Sequence, residues 1–259
     1  MSHDTVRTEV RAGVLSITID RPPVNALDTA LLQRLLDVFE GEAAEAGIRS
    51  VVITGAGRAF VAGADIRSFA EHDVSSEPHP SMRLGNDLFN LIEAYPKAII
   101  AAVNGACLGG GSELALACDF RIASSSAVFG QPEIKLGLIP AWGAIQRLPR
   151  LIGRGRALDL LLTGRTVAAD EALAIGLVHE VVEPDALVPR AQDLARTLAS
   201  IAPLALAATK ERLVKGQSER QGQAIRDDEW TFGDLLGSED AQEGLRAFLE
   251  KRPPAWQGR

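Results

Sequence analysis

The sequence predicts an α/β core followed by an all-helical C-terminal segment. Short β-branched runs such as Ser50 to Gly55 (SVVITG) and Ala98 to Val103 (AIIAAV) read as strands buried on both faces. They alternate with helical patterns up to about Val182, which indicates α/β layering. From about Pro184 the strand signals stop, and APLALAATKERLVKG and SEDAQEGLRAFLEKR carry helical patterns.

The elements follow in order. VRTEV and VLSITI alternate apolar and polar residues around Ala12-Gly13 and predict a hairpin. DRPPVNAL is extended, because consecutive prolines forbid helix. Asp28 is an N-cap for a helix whose apolar face is Leu31, Leu32, Leu35, Leu36 and Phe39, with Gly47 as its stop. After SVVITG, the segment AGRAFVAGADI lacks helical periodicity. Ala70 to Pro80 is polar and proline-punctuated, the pattern of a mobile surface loop. Leu84 to Ala94 is an amphipathic helix, and NGACLGGG leads from the AIIAAV strand into the helix SELALACDF. After AVFGQPEIKLGLIP the chain turns helical again through Gly155 to Leu162.

Composition excludes several classes. The chain has 259 residues, is 46% hydrophobic and 24% charged, and carries a net charge of −7, an ordinary globular profile. The acidic balance opposes non-specific binding to nucleic acid or anionic membrane. The longest uncharged run, Ala98 to Ser112, spans 15 residues and includes Asn104 and four glycines. A membrane span needs about 20 mainly apolar residues. The opening MSHDTVRTEV shows no apolar targeting segment, so a cytoplasmic protein is expected. Cys107 and Cys118 have neither CxxC spacing nor a nearby His and read as reduced core thiols. His3, His72, His79 and His179 form no ligand-spaced pair, so no metal site is expected.

Local motifs are individually ambiguous. Gly55-Ala-Gly57-Arg-Ala-Phe60 has Phe60 where a dinucleotide fingerprint needs its third glycine, and no P-loop occurs. Ser112 lacks the flanking glycine of a nucleophile elbow. Gly109-Gly110-Gly111 either points bare N–H groups at a ligand oxygen or serves a tight turn with close packing. Glu113, in the first turn of the following helix, is favoured there by the macrodipole whatever its role. Glu133, after Gly130-Gln131-Pro132, reads by default as a solvated turn carboxylate.

Together the segments resemble the crotonase, or enoyl-CoA hydratase/isomerase, family. The stretch from Ile99 to Phe120 fits that family's signature along its full length. RPPVNALD, AFVAGADI, FGQPEIKLGLIP, QRLPRLIG, LLTGR, EALAIGLV and FLEKRPPAWQGR extend the fit, in order, over almost the whole chain. The resemblance implies a crotonase-like spiral of ββα units in residues 1–195, carrying the active site. It implies a helical trimerisation segment in 196–259, giving a homotrimer or homohexamer, and an acyl-CoA thioester substrate with no further cofactor.

By position, the resemblance makes the N–H groups of Ala64 and Gly110 an oxyanion hole and Glu113 and Glu133 the catalytic pair. Both glutamates are what a hydratase carries; isomerases of the family commonly keep only the second. Ala26, Ala62, Asp65 and Ile66 are implied to hold the CoA moiety. Arg21, Arg67 and Lys251 are candidate cations for its phosphates, Lys251 by reaching a neighbouring subunit. Pro140-Ala141-Trp142 departs from the family's usual P-G-x: Trp142 either shapes the acyl pocket or points into the core or a subunit interface. The expected activity is hydration of a trans-2-enoyl-CoA. The alternatives are a double-bond isomerase or acyl-CoA hydrolase that uses Glu133 alone, and a non-catalytic acyl-CoA binder.

Overall fold

The computed structural model describes residues 4–67 and 80–259. Its strands are β1 (Val6–Arg11), β2 (Val14–Ile19), β3 (Ser50–Gly55), β4 (Ala59–Val61), β5 (Ala98–Val103), β6 (Ala106–Leu108), β7 (Phe120–Ser124), β8 (Val128–Gly130), β9 (Thr166–Ala168) and β10 (Glu180–Val182). A six-stranded sheet runs β1-β2-β3-β5-β7-β10, and a four-stranded sheet runs β4-β6-β8-β9. Among the described strands, β1/β2 and β8/β9 pair antiparallel and the other neighbouring pairs are parallel.

The connectivity is a spiral. β3, β5 and β7 lie in the large sheet, and the next strand of each, β4, β6 and β8, lies in the small one. Helix α2 (Pro80–Ala94) lies between β4 and β5, and α3 (Gly110–Ala117) between β6 and β7. After β8 a 3-10 turn, Pro132–Leu136, precedes α4 (Ala144–Ile152) and α5 (Arg154–Thr163). These are the ββα repeats expected from the sequence.

Alternation along the central strands explains their β-branched runs. Val51, Ile53, Ile99, Ala101 and Val103 enter the main core. Val52, Ile100 and Ala102 face the other way, onto Leu187, Ala191 and Ala195 of α7 (Leu187–Ala199). Both faces of the sheet are therefore dry. Ser50 Oγ donates to Ala195 O at 2.9 Å and fastens this helix.

Several boundaries differ from the sequence reading. Asp28 does cap α1 (Thr29–Glu40), accepting from Leu31 N at 2.8 Å, but the helix ends at Gly41 rather than Gly47. A 3-10 turn over Glu42–Ala44 follows and buries Ala43. Helix α2 is already helical at Pro80, its first described residue, four residues before the expected Leu84. The loop expected over 70–80 otherwise lies outside the described residues, as do His3, His72 and His79. The Pro22-Pro23 segment forms a turn rather than an extended strand, fixed by the buried side chain of Asn25. Asn25 Nδ2 donates to the carbonyls of Ala56, Ala59 and Phe60, and its Oδ1 accepts from Arg21 N.

Three helices close the chain after α7: α8 (Pro203–Gly216), α9 (Gln221–Leu236) and α10 (Glu239–Glu250). Lys210 ties α8 to the core by donating to Asp119 Oδ2 at 2.7 Å and Lys97 O at 2.9 Å. By contrast, α9 and α10 expose Trp230, Phe232, Phe248 and Leu249. The boundary expected at 195/196 falls inside α7. Among the described residues no helix is long and apolar enough to cross a membrane, and no cluster of ligating side chains suits a metal ion. Cys107 and Cys118 are buried free thiols.

Candidate active site

The small sheet positions the site. Because β4, β6 and β8 are parallel, their C-terminal ends share one edge, where ligands of open α/β sheets bind. That edge brings together Gly63, Gly109 and Glu133: a Cβ on Gly109 would stand 2.5 Å from Glu133 Oε1 and 3.7 Å from Gly63 Cα. Ala64 and Gly110, one residue beyond the two glycines, are thereby drawn together from 46 positions apart.

Both backbone N–H groups are available. Ala64 forms a parallel bridge with Leu27, in which Leu27 N donates to Gly63 O at 2.9 Å and Asp65 N to Leu27 O at 2.8 Å. In that pattern the N–H of Ala64 points to the opposite side. Gly110 opens α3, so its N–H belongs to the unpaired first turn. No acceptor among the described residues takes either proton. The glycine run also serves packing: a Cβ on Gly111 would strike Val61 O at 2.0 Å, and one on Gly110 would strike the Trp142 ring at 2.4 Å. Both readings left open for GGG therefore apply to the same three residues.

Helix α3 is buried all round, so Glu113 has little water to solvate it. Burial pushes its carboxyl up to about 7, aided by the nearby Glu133 charge and opposed by N–H donors and by Arg147. Those donors are Trp142 N at 2.8 Å and Ala144 N at 3.0 Å, both to Oε1. Ala144 begins α4, so the carboxylate also sits at a helix N-terminus. At the other end of α3, buried Arg121 donates to the carbonyls of Ala115 and Cys118 and fixes the helix axially.

Glu133 is held differently. Burial raises its carboxyl as well, opposed only by its own backbone N–H. Its Oε2 is buried with no hydrogen-bond partner among the described residues. Donor supply separates the two acids: Glu113 Oε1 accepts from two backbone N–H groups, whereas Glu133 Oε2 accepts from none among the described residues. The buried amide of Gln131, two residues before Glu133, likewise has both polar atoms unpartnered.

The remaining predicted residues distribute as follows. Arg21 Nη2 contacts Asp28 Oδ2 and Asp65 Oδ2, each at 2.8 Å, and Nη1 donates to Ala26 O at 2.9 Å. It is therefore engaged within the chain, clamping the 21–28 segment to Asp65, whose carboxyl it lowers. Ala62 N donates to Val24 O at 3.0 Å. Ile66 and Arg67 are exposed beside this clamp, and Pro140 is buried while Ala141 is exposed. Lys251 is exposed at the C-cap of α10, and among the described residues no hydrogen bond links it to the site. The Trp142 ring is 2% exposed and belongs to the main core, edge-on to Phe89 at 5.8 Å with Nε1 donating to Ser81 O at 3.1 Å. Of the two alternatives for Trp142, this is the core position.

Asn25, Gln131 and Arg147 also shape the site, and sequence reasoning did not single them out. Asn25 sits inside VNAL and Arg147 inside QRLPRLIG, segments that the family resemblance includes.

Two free N–H groups beside one buried and one half-buried carboxylate define an acid–base site suited to an oxygen that gains negative charge. The chain belongs to the enoyl-CoA hydratase/isomerase family, whose sequence model matches residues 9–259. It is 40% identical over 246 residues to a probable enoyl-CoA hydratase of Bacillus subtilis, covering 95% of each chain. It is 41% identical over 254 residues to the short-chain-enoyl-CoA hydratase of Clostridium acetobutylicum, covering 97% of each. The fold matches the crystal structure of an enoyl-CoA hydratase from Bacillus anthracis with a TM-score of 0.94 at 38% identity, over 99% of this chain and 100% of that one.

Proposed function

We propose that this protein is an enoyl-CoA hydratase, adding water across the 2,3 double bond of a trans-2-enoyl-CoA to give a 3-hydroxyacyl-CoA in fatty-acid or related acyl-CoA breakdown. The observation that carries this reading is the pairing at one site of a buried glutamate that accepts two backbone N–H bonds with a half-buried one whose Oε2 accepts none. A pure binder needs neither, and an isomerase needs one.

In the proposed reaction Glu113, ionised, takes a proton from water as the oxygen bonds to C3. The π electrons move onto the thioester oxygen, which accepts from the N–H groups of Ala64 and Gly110. The enolate then collapses and C2 takes the proton of Glu133. Solvent exchange returns the pair to its starting charge, and dehydration reverses the roles. Each acid or base role contributes about 10²–10⁴ in rate, and one oxyanion donor about 10²–10³. Atoms and electrons balance without a metal or redox cofactor.

Ala26, Ala62, Asp65 and Ile66 are assigned to the CoA moiety, with Arg67 and, across a subunit boundary, Lys251 as cations for its phosphates. Pro140 and Ala141 border the acyl group. The protein acts in the cytoplasm as a homotrimer or homohexamer, a reading supported by the apolar side chains exposed on α9 and α10. Incubation with crotonyl-CoA tests the activity: absorbance of the conjugated thioester falls and 3-hydroxybutyryl-CoA appears. Absence of that product sinks the hydratase reading.

A further inference from the structure

The turn that grips Glu113 consists of three successive peptide units. The outer two, ending in the N–H groups of Trp142 and Ala144, donate to Glu113 Oε1. The middle one, between Trp142 and Gly143, points its carbonyl the other way. That carbonyl accepts from Arg147 Nη1 at 2.9 Å. Arg147 is 8% exposed, and its Nη2 donates to Asn90 Oδ1 and Glu93 Oε2 of α2, each at 2.8 Å. Its Nε is buried without a partner, so the fork is oriented by these contacts alone.

Gly143 makes this anchor necessary. At φ +112° it occupies a region that glycine enters without penalty, and a Cβ there would meet Arg147 Nη1 at 2.1 Å. A peptide next to such a glycine is free to rotate, which would scatter the two N–H groups that converge on Glu113. We propose that Arg147 is a positioning residue for hydration: by holding the Trp142 carbonyl against α2, it fixes the paired N–H donors that grip and aim the Glu113 carboxylate. The charged groups around Glu113 are Glu133 from the segment after β8 and Arg147 itself from α4, with Glu93 of α2 behind the guanidinium. This inference rests on the assignment of Glu113 as the base.

The test is steady-state hydration of crotonyl-CoA from about pH 5 to about pH 9 by wild type, Arg147→Gln, Arg147→Lys, Glu113→Gln and the Glu113→Gln/Arg147→Gln double variant. Misplacing a catalytic group by an ångström costs up to ~10²-fold, so Arg147→Gln loses ~10–10² in kcat with KM nearly unchanged. Its acidic limb also moves to higher pH, because the donors that favour the charged carboxylate are loosened. Arg147→Lys retains charge but lacks the fork, so it loses ~10-fold with a smaller limb shift. In the Glu113→Gln background, Arg147→Gln has no further effect on kcat. Wild-type kcat and pH profile in Arg147→Lys or folded Arg147→Gln overturn the proposal, as does a fully additive double variant. Full activity in Glu113→Gln instead overturns the assignment of Glu113.

Discussion

The backbone N–H of Trp142 donates to Glu113 Oε1 across 2.8 Å, while the indole of the same residue packs against Gly110 of the helix that carries Glu113. One residue thus fixes the carboxylate electrostatically and spaces its helix sterically. Gly85 of α2 faces the ring from another side, where an added Cβ would meet Nε1 at 2.4 Å. Trp142 is therefore a wedge between two helices.

Trp142→Ala should remove that wedge. Truncating a buried aromatic typically costs about 3–5 kcal/mol, and the turn gripping Glu113 loses its support. Hydration of short- and long-chain enoyl-CoA substrates should fall by similar factors, with a lower unfolding temperature. A change confined to chain-length preference, with stability unaltered, would mean that the ring lines the acyl pocket.

The Glu113 carboxyl, raised from 4.5 to about 7, makes both activity and stability pH-dependent. The base must be ionised, so kcat/KM for hydration should fall as pH drops below about 7. For stability the sign is opposite. Between the two values the folded state holds a proton that the unfolded state has released, so the contribution present at low pH is lost as pH rises. The loss approaches about 3 kcal/mol by pH 8. Denaturant titrations across this range should show Glu113→Gln losing less stability with rising pH than wild type. Parallel curves would contradict the burial argument.

At Gly109, φ is +50° and the space for a Cβ is already taken by Glu133 Oε1. Gly109→Ala should fold, since the obstacle is the end of a flexible side chain, at a strain of about 1–3 kcal/mol. The displaced acid should lower kcat by roughly 10–10²-fold. A folded variant with unchanged kcat would detach Glu133 from proton transfer.

Two arginines that look equivalent in the sequence should behave differently. Arg67 is exposed, whereas Arg21 is shared by Asp28 and Asp65. Arg67→Ala should raise KM for crotonyl-CoA and flatten its dependence on ionic strength, since a local cation meets the CoA phosphates against a net charge of −7. Arg21→Ala should reduce kcat instead, by freeing the segment that orients Ala64. KM values measured against salt for both variants separate the two roles, and a swapped pattern would reverse the assignment.

What was legible in the sequence was whatever is written locally. The Ala12-Gly13 hairpin, the Asp28 cap and the buried runs of β3 and β5 depend on neighbouring residues and emerged from them. Each of the two glutamates is ordinary in its own helix or turn, and the whole-chain resemblance is what singles out the pair. Arg147 and Asn25 were not legible. Their partners lie 54 and 57 positions away for Arg147, and 31 to 35 away for the Asn25 amide. Helix ends were misread where packing decided: Gly41 stops α1 because the following turn buries Ala43.

The central claim is that Glu113 and Glu133 act as one proton-transfer unit, and kcat for crotonyl-CoA hydration by Glu113→Gln, Glu133→Gln and the double variant tests it most directly. Each single variant, folded as wild type, should lose ~10²–10⁴ in kcat, and the double variant should be little worse than the poorer single one. Near-wild-type hydration in either single variant, or losses that simply multiply, would contradict it.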